Sequence, residues 1–105
     1  MIIIETSVFT RQVGTLLSDE VYRLLQTALI NRPDLGKVIP NSGGIRKVRW
    51  MSPGKGKRGS VRVIYYWAGS QERLLMLFLY SKSEREDLTP AQLKILKSVV
   101  EENFP

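Results

Sequence analysis

The stretch Leu74-Leu-Met-Leu-Phe-Leu-Tyr80 is apolar at every position. A strand with one wet face alternates apolar and polar residues, so a run without alternation predicts a central strand covered on both faces. A buried helix segment is the competing reading. The boundaries argue against it: the turn Ala68-Gly69-Ser70 precedes the run and a polar loop follows it. With 105 residues the chain has room for one core, and residues 1–105 are read as one domain. Its other elements must therefore cover this strand from two sides.

The elements follow in order. Ile2-Ile3-Ile4 is β-branched and reads as a short strand entering the core. Thr6 or Ser7 can cap a short helical turn carrying Val8, Phe9 and Val13, stopped by Gly14. Ser18 is the N-cap of a longer helix, with Asp19 and Glu20 in its first turn, where carboxylates suit the helix dipole. Val21, Leu24, Leu25, Ala28 and Leu29 keep the spacing of one helical face, and Arg32-Pro33 closes it. Residues 33–44 are a loop by composition, yet Leu35, Val38 and Ile39 predict that it packs on the body.

Residues 45–50 alternate, placing Ile45, Lys47 and Arg49 on one face and Arg46, Val48 and Trp50 on the other. Residues 52–59, Ser-Pro-Gly-Lys-Gly-Lys-Arg-Gly, have no apolar side chain and predict the tip of a long hairpin. The return strand, residues 60–67, puts Val61, Val63, Tyr65 and Trp67 on one face and Arg62, Ile64 and Tyr66 on the other. Thr89, Pro90 and Gln92 form a capping box ahead of a last helix with Leu93, Ile95, Leu96, Val99 and Val100, and Leu88 can staple to Leu93. The order is β-α-α-β-β-β-α. It predicts an α+β fold: a small curved, mainly antiparallel four-stranded sheet, two N-terminal helices on one side and a C-terminal helix.

Charge is distributed unevenly over this frame. From Lys37 to Gln71 there are eight basic residues and no acid, so the whole +6 surplus comes from one third of the chain. Such a field suits a polyanion, and nucleic acid is the first candidate. A solvated sheet face is the ordinary alternative, but a merely solvated surface mixes both signs. There is no cysteine, which excludes disulfides and thiolate metal sites and is compatible with a reducing, cytoplasmic setting. There is no histidine either, so proton transfer must use Lys, Arg, Tyr or carboxylates, and imidazole-bound zinc is excluded. No metal or cofactor is expected. No apolar run approaches the ~20 residues of a membrane span, and the start, Met-Ile-Ile-Ile-Glu, does not read as a signal peptide.

The candidate chemistry is cationic. Lys47 and Arg49 share a strand face, Arg62 lies on the next strand, and Lys82 follows the apolar strand. Given level register, these cations could surround one phosphate and stabilise the charge of a pentacoordinate transition state. A lysine crowded by cations could also move a proton. Trp50, Tyr65 and Trp67 read as core or core-edge residues rather than stacking platforms. Tyr66, on the Arg62 face, is the better RNA contact, and Tyr80 could point into the same site. Glu84 and Glu86 could serve as a base, although Lys82-Ser-Glu-Arg-Glu-Asp87 is most simply an exposed loop. Gly54-Lys-Gly-Lys-Arg-Gly59 lacks the spacing and the strand-to-helix setting of a P-loop.

Three segments together resemble the RelE/HigB superfamily of bacterial toxins, most closely the HigB branch with a long basic hairpin. They are Asp34-Leu-Gly-Lys-Val-Ile-Pro-Asn-Ser-Gly-Gly-Ile-Arg-Lys-Val-Arg-Trp50, then Gly54-Lys-Gly-Lys-Arg-Gly-Ser-Val-Arg-Val-Ile-Tyr-Tyr66, then Tyr80-Ser-Lys-Ser-Glu84 with Asp87-Leu-Thr89. The resemblance implies a type II toxin that cuts mRNA in the ribosomal A site by attack of a ribose 2′-OH on the adjacent phosphate. The family's Lys-x-Lys strand is similar to Lys47-Val48-Arg49, its strand-opening arginine matches Arg62, and its lysine after the central strand matches Lys82. The arginine that follows in RelE is Ser83 here, with Arg85 nearby, and the downstream RelE tyrosine has no counterpart in residues 84–90. Lys47, Arg49, Arg62 and Lys82 are thus the expected catalytic group. Arg46, Lys55, Lys57, Arg58, Tyr66, Tyr80 and Arg85 are the expected contacts to RNA or ribosome. The implied partners are A-site mRNA, ribosomal RNA and a helix-turn-helix antitoxin. A degenerate, non-catalytic RNA-binding or antitoxin-binding module is the alternative, and a basic face for an acidic partner a third.

Overall fold

The computed structural model describes residues 1–51, 60–82 and 87–105. The apolar run forms β5, Arg73–Ser81, inside a five-stranded sheet of order β1-β5-β4-β3-β2. Its neighbours are β1, Ile2–Glu5, which runs parallel to it, and β4, Ser60–Ala68, which is antiparallel. Strand β3, Ile45–Met51, pairs antiparallel with β4, and the two-residue β2, Lys37–Val38, edges β3. Both faces of β5 are covered, as its lack of alternation requires. A register shift adds to that pattern: Ile64 pairs with Phe78 and Tyr65 with Met76, so Leu77 is an extra residue on β5. Leu77 and Phe78 therefore both belong to one side of the sheet, in a bulge that breaks the two-residue period.

On one face lie helices α1, Ser7–Leu16, and α2, Asp19–Asn31. Phe9, Leu17, Leu25 and Leu29 pack there against Val48, Val63, Tyr65, Leu74, Met76 and Leu79. On the other face α3, Pro90–Asn103, sits over Ile45, Ile64, Leu75, Leu77 and Tyr80, with Val100 the most buried residue of the helix. Full burial of one such side chain contributes about 1.5–3 kcal/mol, so each layer is held by several strong contacts. Caps fix the helix starts: Thr6 accepts from the Phe9 amide, Ser18 from Val21, and Thr89 and Gln92 close a reciprocal capping box. The Glu5 carboxylate, at the end of β1, accepts from the hydroxyls of Thr10 and Tyr22 and so ties β1 to both N-terminal helices.

Two expectations change. Helix α1 does not stop at Gly14 but continues to Leu16. Val13, Leu16 and Leu17 keep the spacing set by Phe9, and their packing outweighs the roughly 1 kcal/mol that a helical glycine costs. The loop of residues 33–44 packs as predicted through Leu35 and Ile39, but it also supplies β2 as a fifth strand, with Val38 left exposed at the edge. Tyr65 explains why this loop is ordered enough to pair. Its hydroxyl accepts from the Gly36 amide at 2.8 Å and donates to the Pro33 carbonyl at 2.7 Å. Arg46, directly across the β3–β4 ladder from Tyr65, donates to the Gly36 carbonyl at 2.7 Å. Beyond β2 the chain turns through Gly43 and Gly44, at φ 75° and 106°, where glycine is favoured.

Candidate active site

Strand register decides which cations meet. Arg49 of β3 stands directly opposite Arg62 of β4, and Arg62 stands opposite Tyr80 of β5. Lys47, two residues before Arg49, faces Ile64, whose side chain packs on the α3 side of the sheet. Alternation along the strands therefore puts Lys47, Arg49, Arg62 and Tyr80 on the same face as α3. The helix covers the Ile45–Leu75 end of that face and leaves Arg49 exposed. Opposed residues of an antiparallel pair lie about 4.5–5.5 Å apart at Cα, and residues i and i+2 about 6.8 Å apart. One phosphate can bridge such a group.

The four expected catalytic cations differ in setting. Arg62 is only 9% exposed, and its guanidinium donates to the Ser60 hydroxyl at 2.8 Å. Among the described residues no carboxylate lies within ion-pair distance of it. A guanidinium this buried is a fixed cation with which an anion can pair. Lys47 is two-thirds buried and reaches the Asp87 carboxylate at 3.2 Å. Lys82 follows β5 immediately and is exposed, two residues beyond the Tyr80 that pairs with Arg62.

The expected RNA contacts divide. Tyr80 is buried, its hydroxyl 3.4 Å from Asp87. Tyr66 is half-buried on the α3 face with its ring 5.7 Å from that of Phe104, so it packs the C-terminal helix. Arg46 is not brought to the cationic face. It lies on the opposite side, over the Trp67 ring at 5.9 Å and bonded to the Gly36 carbonyl. Lys55, Lys57, Arg58 and Arg85 lie outside the described residues.

Two residues join the site that the sequence reading did not assign to it. Lys37 of β2 stands directly opposite Lys47, extending the row of cations to the sheet edge. Asp87, two residues before the cap of α3, accepts from Lys47, from Tyr80 and from the Leu88 amide at 2.9 Å. Its carboxyl is held below the ordinary range, first by the Leu88 bond; partial burial works against this, and the bond and charge of Lys47 and the Tyr80 hydroxyl add to the lowering. Beyond Asp87 an open groove of about 530 Å³ runs between Ile39, Asn41 and the first turns of α3 at Leu93 and Lys94. Lys37 was visible as a charge within the acid-free stretch. Asp87 stood out only within the Asp87-Leu-Thr89 segment ahead of the capping box; its place in the site did not show, because its pairing with Lys47 spans 40 residues.

Chemically, the face can hold a phosphodiester and stabilise added charge on it. Among the described residues no three acidic side chains come together in a metal-binding group. The chain matches the family model of the RelE toxin of the RelE/RelB toxin–antitoxin system over residues 4–104. The chain belongs to the RelE family. Toxins of this family pair with an antitoxin and are generally endoribonucleases that inhibit translation by cutting mRNA. The small α+β architecture, an open, mostly antiparallel sheet with three helices, is consistent with a RelE-like fold. Among the described residues of this RelE-family chain, no helix is long and apolar enough to cross a membrane.

Proposed function

We propose that this RelE-family chain is a ribosome-dependent mRNA endoribonuclease of the HigB-like branch, acting in the cytoplasm without metal or cofactor. The observation that carries the reading is the level pairing of Arg49 with Arg62, flanked by Lys47 and lacking any acid in the strands themselves. A ribose 2′-oxygen attacks the adjacent phosphorus, the bond to the 5′-oxygen of the next nucleotide breaks, and a 2′,3′-cyclic phosphate and a 5′-hydroxyl result. The 2′-OH proton leaves to a base and a proton is delivered to the departing 5′-oxygen. Arg62 and Lys82 stabilise the phosphate as it gains charge, and Lys47 or Arg49 assists the proton transfers. Lys55, Lys57 and Arg58 grip ribosomal RNA, with Tyr66, Tyr80 and Arg85 as further contacts. A separate helix-turn-helix antitoxin neutralises the toxin.

Induced expression in a bacterium tests this reading. Wild type arrests growth, while Arg62→Ala and Lys82→Ala, at matched folded levels, do not. Full toxicity of both variants rejects the residue assignment. Salt-dependent RNA binding without cyclic-phosphate ends would favour the degenerate, non-catalytic module instead.

A further inference from the structure

Asp87 is the one carboxylate that meets a candidate catalytic cation among the described residues. Its Oδ1 gathers three donors from three places: the Leu88 amide at 2.9 Å, Lys47 Nζ on β3 at 3.2 Å and the Tyr80 hydroxyl on β5 at 3.4 Å. The first contact is local and fixes the carboxylate to the chain entering α3. The other two reach the sheet beside the Arg49–Arg62 pair.

The side chains of Lys47 and Asp87 are 33% and 64% exposed, so water screens the pair and its value to folding is small. What the arrangement does supply is direction. A lysine ammonium on a four-carbon stem is a point charge with many rotamers, and phosphate stabilisation requires it at one place. Nor is Asp87 suited to be the base, since the Leu88 bond and the Lys47 charge stabilise its ionised form and weaken it as a proton acceptor.

We propose that Asp87 is a positioning residue, holding Lys47 against the Arg49–Arg62 pair from the α3 side. Through it the geometry of the cationic site depends on how the start of α3 is seated. The inference rests on the reading of this face as a nuclease site with Lys47 in it.

The test is single-turnover cleavage of a defined mRNA on ribosomes with an empty A site, over a range of protein concentrations. The proteins are wild type, Lys47→Ala, Asp87→Asn, Asp87→Ala and the double variant Lys47→Ala/Asp87→Ala, with folded fractions matched by circular dichroism. Asp87→Ala is expected to lower the saturating rate by roughly ten- to a hundredfold with little change in half-saturating concentration. Asp87→Asn, which keeps an acceptor oxygen, retains most of the rate. The double variant is no slower than Lys47→Ala alone, because Asp87 acts through Lys47. A wild-type rate for Asp87→Ala, with Lys47→Ala impaired, overturns this inference alone. Losses that multiply in the double variant also overturn it, by making Asp87 an independent participant such as the base. Unimpaired Lys47→Ala, or no cleavage by wild type, removes the nuclease reading of Lys47 or of the face, and the inference falls with it.

Discussion

Arg49 and Arg62 face each other directly across the β3–β4 ladder. Like charges in that relationship oppose folding, as do Lys37 and Lys47 one pair further out. The sheet holds this repulsion where ordinary packing would place an acid or a hydroxyl. Arg49→Thr should therefore raise stability, by about 0.2–1 kcal/mol, while lowering cleavage. Denaturant unfolding at low and high salt checks the first part: the gain shrinks as salt screens the exposed Arg49.

Gly36 is enclosed by the residues that shape the sheet edge. A Cβ there would lie 2.9 Å from the Tyr65 ring and 3.0 Å from the Lys47 carbonyl. Gly36→Ala is expected to cost about 1–3 kcal/mol through overpacking, and thermal unfolding would read it. Because Lys47 belongs to the displaced backbone, cleavage per folded molecule should fall as well.

Tyr65→Phe leaves the Gly36 amide and the Pro33 carbonyl without their partner, for a loss of about 1–3 kcal/mol. Burial raises the Tyr65 phenol above its ordinary 10.0, so the fold favours the neutral form. That contribution is complete below pH 10.0 and is lost as pH climbs through the folded value. Absorbance titration of phenolate should show a late-ionising tyrosine that disappears in Tyr65→Phe. A second, Tyr22, is raised by burial and by Glu5.

Asp87 titrates in the other direction. Its folded value is depressed below 3.8, so its contribution is present above 3.8 and is lost as pH falls below that through the folded value. With a side chain 64% exposed, the amount is under about 1 kcal/mol. Asp87→Asn should leave stability at neutral pH nearly unchanged and slightly flatten its decline in acid, as followed by urea midpoints.

Arg46 offers a control on the opposite face. Arg46→Ala removes the bond to the Gly36 carbonyl and the stack on Trp67. The expected loss is about 1–2 kcal/mol of stability, with cleavage per folded molecule near wild type when compared in the same ribosome assay.

Local rules made much of this fold legible. Ser18, Thr89, Pro90 and Gln92 announce helix starts, and the unbroken apolar run of β5 demands cover on both sides. That Lys47 and Arg49 share a strand face followed from alternation alone. What alternation could not supply was register, which is set between strands, so Arg49 opposite Arg62 and Lys37 opposite Lys47 emerged only in the fold. Helix α1 ran past Gly14 because tertiary packing outweighed propensity. Alternation had already put Arg46 on the face away from Lys47 and Arg49, and the fold keeps it there, over Trp67. Asp87 looked like part of a solvated acidic loop because its partners are 40 and 7 residues away.

The most direct test of the nuclease reading is to map mRNA 5′ ends shortly after induction and characterise the ends left by purified protein on programmed ribosomes. The account predicts new 5′-hydroxyl ends within translated reading frames, matching 2′,3′-cyclic phosphates upstream, and the loss of both with Arg62→Ala. Growth arrest with intact mRNA, or the same ends produced equally by Arg62→Ala, would contradict it.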